Sequence, residues 1–253
     1  MTNNLKYFIG NWKMFGNHSS LKIIYQIHQF CTKFKVKGKK NKIVLCVPST
    51  LISFFSKKLK SKTVYIGGQN CHQHESYGPF TGSVSASMLK NSGAKYVILG
   101  HSENRAEGET KQIIKNKIQS AHNQKLNVIF CVGETLKEKK SGKTYSVIRS
   151  QITGSIKRKI FLKKIIIAYE PVWSIGSGKI PQASELKKTF KFIKNEIRKK
   201  YKTKYLPAVL YGGSVSSKNI KMFSLIPEID GFLIGGASQS SKKFIDIIKN
   251  YYK

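Results

Sequence analysis

Eight short apolar runs, separated by longer stretches with a helical repeat, restrict the fold of this chain more than any other feature. The runs are residues 7–12, 42–47, 63–68, 96–99, 128–132, 165–169, 206–210 and 231–234. Each is close to continuously apolar, as a strand covered on both faces must be. The segments between them place apolar residues on one helical face. In residues 21–34 that face is Ile23, Ile24, Ile27, Phe30 and Phe34; in residues 186–197 it is Leu186, Phe190, Ile193 and Ile197. Strands alternating with helices predict a parallel α/β sheet. Eight such units suit a closed (β/α)8 barrel or an open doubly wound sheet, and the pattern alone leaves both open. No Pro/Ser-rich linker or shift in composition interrupts residues 1–253, so a single domain is expected.

Charge is the second constraint. Lys and Arg number 46 against 12 Asp and Glu, a net charge of +34. A binder of nucleic acid or anionic membrane has such a balance, and a basic nucleic-acid-binding protein on an inactive barrel is the rival reading. However, only four of the basic residues are Arg (Arg105, Arg149, Arg158 and Arg198), and Arg is the better fork for phosphate and base edges. The lysines run along the whole chain, with no zinc-finger spacing or RNA-binding aromatic motif beside them. They read as solvated helix faces, so no specific nucleic-acid partner is expected. No apolar run is long enough to span a membrane, and residues 1–6 lack the apolar stretch of a secretory signal. A soluble cytoplasmic chain is the expectation. Cys31, Cys46, Cys71 and Cys131 form no C-x-x-C pair and are expected as free thiols.

In a barrel the chemistry is assembled where the strands end, and phosphate sits by the last two. Polar residues do follow the apolar runs. The first ends in Gly10-Asn11-Trp12-Lys13, the fourth in Leu99-Gly100-His101-Ser102-Glu103, and the sixth in Ala168-Tyr169-Glu170-Pro171-Val172-Trp173. Lys13 is a candidate cation for an anionic substrate. His101 taken alone is as well explained as a hydrogen-bonded core residue. An acid at the end of a buried strand is costly without a task or a partner, which singles out Glu170. Residues 174–179, Ser-Ile-Gly-Ser-Gly-Lys, read as a hinged lid or as a tight connection. Gly212-Gly213-Ser214 and Gly235-Gly236-Ala237 follow the last two runs, where glycines let backbone N–H groups approach a phosphate.

These motifs, with Cys131-Val132-Gly133-Glu134-Thr135 and Tyr211-Gly212-Gly213-Ser214-Val215, resemble the triosephosphate isomerase family in order and spacing from residue 7 to the last helix. The resemblance implies a single TIM barrel. It also implies reversible interconversion of dihydroxyacetone phosphate and D-glyceraldehyde 3-phosphate through an enediolate, in glycolysis and gluconeogenesis. In this family, by long-established assignment, a glutamate is the base and a neutral histidine the electrophile. Carried onto this chain, Glu170 is the base, His101 polarises the carbonyl, and Lys13 stabilises negative charge with support from Glu103. Asn11 orients the substrate, while Gly176, Ser214, Gly235 and Gly236 offer backbone N–H groups to the phosphate. No metal or organic cofactor is implied. Residues 171–179 would be a lid. The loop 70–83 carries Cys71, His72 and His74, which suggest a metal site by themselves. It resembles instead the family's interface loop, which implies a homodimer with Thr81 reaching the partner's Asn11. Two positions depart from the family pattern: Ser83 and Asn104 stand where it has opposite charges, and a neutral contact is expected to replace that ion pair.

Overall fold

The computed structural model describes residues 5–157 and 162–253. Residues 1–4, part of the stretch searched for a signal, and Arg158 lie outside the described residues. The strands are β1 (Leu5–Asn11), β2 (Lys40–Cys46), β3 (Val64–Gly68), β4 (Tyr96–Leu99), β5 (Asn127–Val132), β6 (Ile165–Tyr169), β7 (Ala208–Tyr211) and β8 (Gly231–Ile234). They form a closed barrel in chain order. All pair in parallel, and β1 closes on β8 with Phe8 opposite Phe232 and Ile9 opposite Leu233. An open doubly wound sheet would have left two strand edges unpaired.

The seventh run begins later than its apolar content suggests. Pro207 has no N–H to give to the ladder, so β7 starts at Ala208 and runs on to Tyr211. The helix expected at 186–197 extends over Ala183–Tyr201, because the added residues, Ala-Ser-Glu before and Arg-Lys-Lys-Tyr after, carry little of the apolar repeat. Side-chain caps set several helix starts. Ser85, Thr110 and Thr135 each accept a hydrogen bond from the backbone N–H three residues on, satisfying donors that helix geometry leaves free.

Strand alternation divides the core into two layers. In β6, Ile165, Ile167 and Tyr169 pack outward against the helices, while Ile166 and Ala168 point into the barrel. The interior layer also holds Ile9, Val44, Cys46, Ile98, Ile129, Cys131, Leu210 and Leu233. An eight-stranded barrel is just wide enough for such side chains to fill it. Continuing the inward parity past each strand gives Asn11 and Lys13 after Ile9, Glu170 after Ala168, Gly212 after Leu210 and Gly235 after Leu233. The side chains that leave the apolar interior at its carboxyl end are therefore fixed by counting in twos.

Candidate active site at the carboxyl end of the barrel

Those positions converge on one cavity of about 420 Å³. Its lining includes Asn11, Lys13, His101, Glu170, Gly176, Ser214, Gly235 and Gly236. All eight site residues expected from the sequence therefore line one cavity.

Lys13 owes its position to an unusual backbone. Its φ is +54°, a left-handed conformation that a residue with a side chain adopts at a cost. Neighbours hold it there. The Lys13 N–H donates to Asn11 Oδ1 at 3.1 Å, and the Lys13 carbonyl accepts from Gln69 Nε2 at 2.9 Å. The ammonium pairs with the Glu103 carboxylate. Burial pushes the Glu103 carboxyl upward, but the Lys13 hydrogen bond and the nearby His101 and Lys13 outweigh it, leaving Glu103 below its ordinary value.

His101 follows β4 and caps the short helix Ser102–Ala106. Its Nδ1 accepts the Glu103 backbone N–H at 3.2 Å. A nitrogen that accepts carries no proton, so the neutral ring keeps its hydrogen on Nε2. That Nε2 faces Glu170 Oε1 at 3.3 Å. The result is a buried donor aimed into the cavity.

Glu170 is buried, with 3% of its surface exposed. Two glycines make the slot that holds it. A Cβ on Gly133 would lie 1.8 Å from the Glu170 carbonyl oxygen, and one on Gly212 would lie 2.7 Å from Glu170 Cγ. Burial pushes the carboxyl above its ordinary value, against the opposing pull of His101, Cys131, Lys13 and the Ser102 amide. Its Oε2 is buried without a hydrogen-bond partner. A carboxylate raised by desolvation, with one oxygen uncommitted, suits the acceptance of a proton.

The segment after Glu170 is anchored on both sides. The Trp173 indole donates to Glu134 Oε1 at 2.8 Å, and the Tyr169 hydroxyl donates to the same carboxylate at 3.1 Å. Gly176 and Gly178 both have positive φ, so the tip turns back and brings the Gly178 N–H to Ser214 Oγ at 3.2 Å. Gly235 and Gly236 open the short turn Gly236–Gln239 on the opposite rim. A Cβ on Gly235 would stand 3.7 Å from Lys13 Cε.

The loop 70–83 lies outside this cavity. His72 and His74 both pack on Phe80, with ring centroids 4.3 and 4.4 Å away. Cys71 is buried and its thiol is pushed up to about 12 by desolvation. Among the described residues no group of three His, Cys, Asp or Glu side chains is placed to hold a metal. Tyr77 at the loop tip is 76% exposed. Lys194 meets Asp230 Oδ2 at 2.9 Å and the Glu228 carbonyl at 2.9 Å.

Several residues of the site carried no role in the sequence reading. Gly133 and Glu134 were visible as part of a motif, but only the close approach of Glu170 and the convergence of Tyr169 and Trp173 show what they do. Gln69 is a polar side chain in a loop, indistinguishable by sequence from any other. Arg105 donates to the Gly100 carbonyl at 2.7 Å and the Cys131 carbonyl at 3.0 Å, tying together the ends of β4 and β5.

Barrel and cavity together define a (β/α)8-barrel enzyme, with its polar groups held where such barrels perform their chemistry. Comparison with known proteins narrows the class. The family model described as triosephosphate isomerase matches residues 6–251. A triosephosphate isomerase of Bartonella henselae is 38% identical over the full length of both chains. One from Brucella abortus is 38% identical over 96% of this chain and 95% of its own. The crystal structure of triosephosphate isomerase from Bartonella henselae superposes with a TM-score of 0.89 at 36% identity, covering 98% of this chain and 99% of that one. The chain belongs to the triosephosphate isomerase family.

Proposed function

We propose that this protein interconverts dihydroxyacetone phosphate and D-glyceraldehyde 3-phosphate, as an isomerase of glycolysis and gluconeogenesis. Glu170 removes a proton from the carbon beside the substrate carbonyl. His101 donates its Nε2 hydrogen bond to the oxygen where negative charge develops, and Lys13 adds a positive charge beside it. Protonation of the neighbouring carbon by the same carboxyl completes the transfer. Asn11 positions substrate and Lys13 together. Backbone N–H groups of Gly176, Ser214, Gly235 and Gly236 hold the phosphate, and the lid excludes water, which strengthens each electrostatic contact.

The observation that carries this reading is the Glu170 carboxylate: buried, raised by desolvation, and facing His101 Nε2 with one oxygen free. Two extensions rest on the family resemblance. The chain acts as a homodimer through the loop 70–83, whose tip residues Tyr77, Gly78, Pro79 and Thr81 are exposed in the single chain. It works in the cytoplasm as a single domain over residues 1–253; no described helix is long and apolar enough to cross a membrane.

The test is isomerisation of glyceraldehyde 3-phosphate by purified protein, read through a coupled dehydrogenase at a protein concentration that favours the dimer. Turnover supports the reading. Absence of turnover, with salt-sensitive binding to a random duplex, returns the basic nucleic-acid-binding alternative.

A further inference from the structure

The lid contains a polar side chain that is fully enclosed. Ser174 has 0% of its surface exposed, although it lies in a loop whose tip is open to solvent. Its Oγ donates to the carbonyl of Lys179 at the far end of the same loop. A hydroxyl has one hydrogen to give, so its 3.0 Å contact with the Tyr211 hydroxyl must be donated by Tyr211. The Ser214 N–H also reaches Ser174 Oγ, at 3.4 Å. Ser214 Oγ returns a hydrogen bond to the Ser174 carbonyl at 2.6 Å while accepting from the Gly178 N–H. A second brace runs alongside: Ser177 Oγ donates to the Trp173 carbonyl at 2.9 Å and accepts the Lys179 N–H at 3.2 Å. The cluster fills the space beside Gly213, where a Cβ would stand 2.3 Å from the Tyr211 hydroxyl and 2.6 Å from Ser174 Oγ.

From this geometry we infer that Ser174 is a positioning residue that clasps the first turn of the lid to its last and moors both to β7, so that the glycine-bearing tip moves as one piece. The inference rests on the isomerase reading and adds to it a determinant of how tightly the intermediate is enclosed. Alanine at 174 would leave the Tyr211 hydroxyl and the Lys179 carbonyl without their shared partner, and the two ends of the lid would separate more often. An enediolate met by an open lid expels its phosphate: the electron pair on carbon forms a double bond as the adjacent C–O bond breaks, releasing inorganic phosphate and an enol. The clasp therefore sets the ratio of isomerised product to phosphate lost.

The experiment compares the full chain with its Ser174→Ala variant by two readouts: backbone amide hydrogen exchange over residues 174–180, and inorganic phosphate released per isomerisation of glyceraldehyde 3-phosphate. Both should rise by about tenfold or more, since the variant loses at least two hydrogen bonds, with KM little changed. Ser174→Ala combined with Tyr211→Phe should release no more phosphate than the worse of the two single variants, because both remove the same clasp. A purely structural role would lower the melting temperature without moving the phosphate ratio. Exchange and phosphate release equal to wild type would overturn the proposal. Were Ser174→Ala not to fold, Tyr211→Phe removes only one donor and carries the same two readouts. A wild-type chain that fails to isomerise would sink the isomerase reading, whereas hydrogen exchange would still decide whether the clasp exists.

Discussion

The ends of β5 and β6 each bury a glutamate, and burial pushes both carboxyls above their ordinary values. Their surroundings differ in one respect. Around Glu134, the Tyr169 hydroxyl and the Trp173 indole supply donors to the carboxylate, and the Val172 N–H is held by its backbone carbonyl. Lys139 stands over the Trp173 ring at 3.9 Å, so a cation covers the outer side of the assembly. Around Glu170, one oxygen faces His101 and the other makes no well-formed hydrogen bond, with only the Cys131 thiol and the Ser102 amide close enough to pull on the carboxyl. A buried carboxylate whose lone pairs are filled is a fixed anchor, here for the first turn of the proposed lid. One whose lone pair is left open has been desolvated with only partial compensation, which costs stability and makes a stronger base. Burial alone does not separate anchor from reagent; how well the donors are formed does.

That contrast can be attacked from several directions. Gly212→Ala leaves every polar group in place but presses a methyl against Glu170 Cγ, and displacing a reacting group by a fraction of an ångström should lower kcat by about 10²-fold. Steady-state kinetics measures this, and an unchanged kcat would show that the slot tolerates movement. Trp173→Phe removes a donor from the anchor instead. It should cost about 1–3 kcal/mol of stability by leaving a buried acceptor less satisfied, with a smaller loss of activity through the loosened lid; denaturant unfolding checks it.

The smallest effect is a gain. In the unfolded chain Glu170 ionises in the ordinary carboxylate range, whereas in the folded chain it does so only at its raised value. Its favourable contribution is therefore complete at low pH and is lost as pH rises through the folded value. Glu170→Gln cannot ionise, so its melting temperature should rise relative to wild type across that window and stay above it at neutral pH. On the acid side, kcat/KM of the wild type should begin to fall at a pH above that of an ordinary carboxylate. Equal melting temperatures at neutral pH would mean that Glu170 is better solvated than its surroundings indicate.

Much of this was legible in the residues. The strand runs at 96–99, 165–169 and 231–234 matched the observed bounds because fully covered strands are apolar throughout and nothing else in them competes. The proposed catalytic side chains were visible as polar groups at the ends of apolar runs, but only Glu170 stood out alone; Lys13 and His101 took their roles from the family resemblance. The slot around Glu170 was not, because a glycine that admits a backbone looks in sequence like one that makes a turn. Gly133 shows its purpose only through the 1.8 Å approach of the Glu170 carbonyl. Ser174 and Gln69 were hidden for a related reason: a serine or glutamine in a loop is ordinary until its partners, distant in sequence, are known.

The central claim is that two similar buried carboxyls have different duties, and a paired measurement tests it. Glu170→Gln and Glu134→Gln would be assayed side by side for isomerisation of glyceraldehyde 3-phosphate, with circular dichroism to establish that both fold. We expect Glu170→Gln to lose about 10²–10⁴-fold in kcat, the scale of a removed general base. Glu134→Gln, which keeps an acceptor for Trp173, should stay within about tenfold of wild type. Comparable losses in the two variants, or a nearly active Glu170→Gln, would contradict the account.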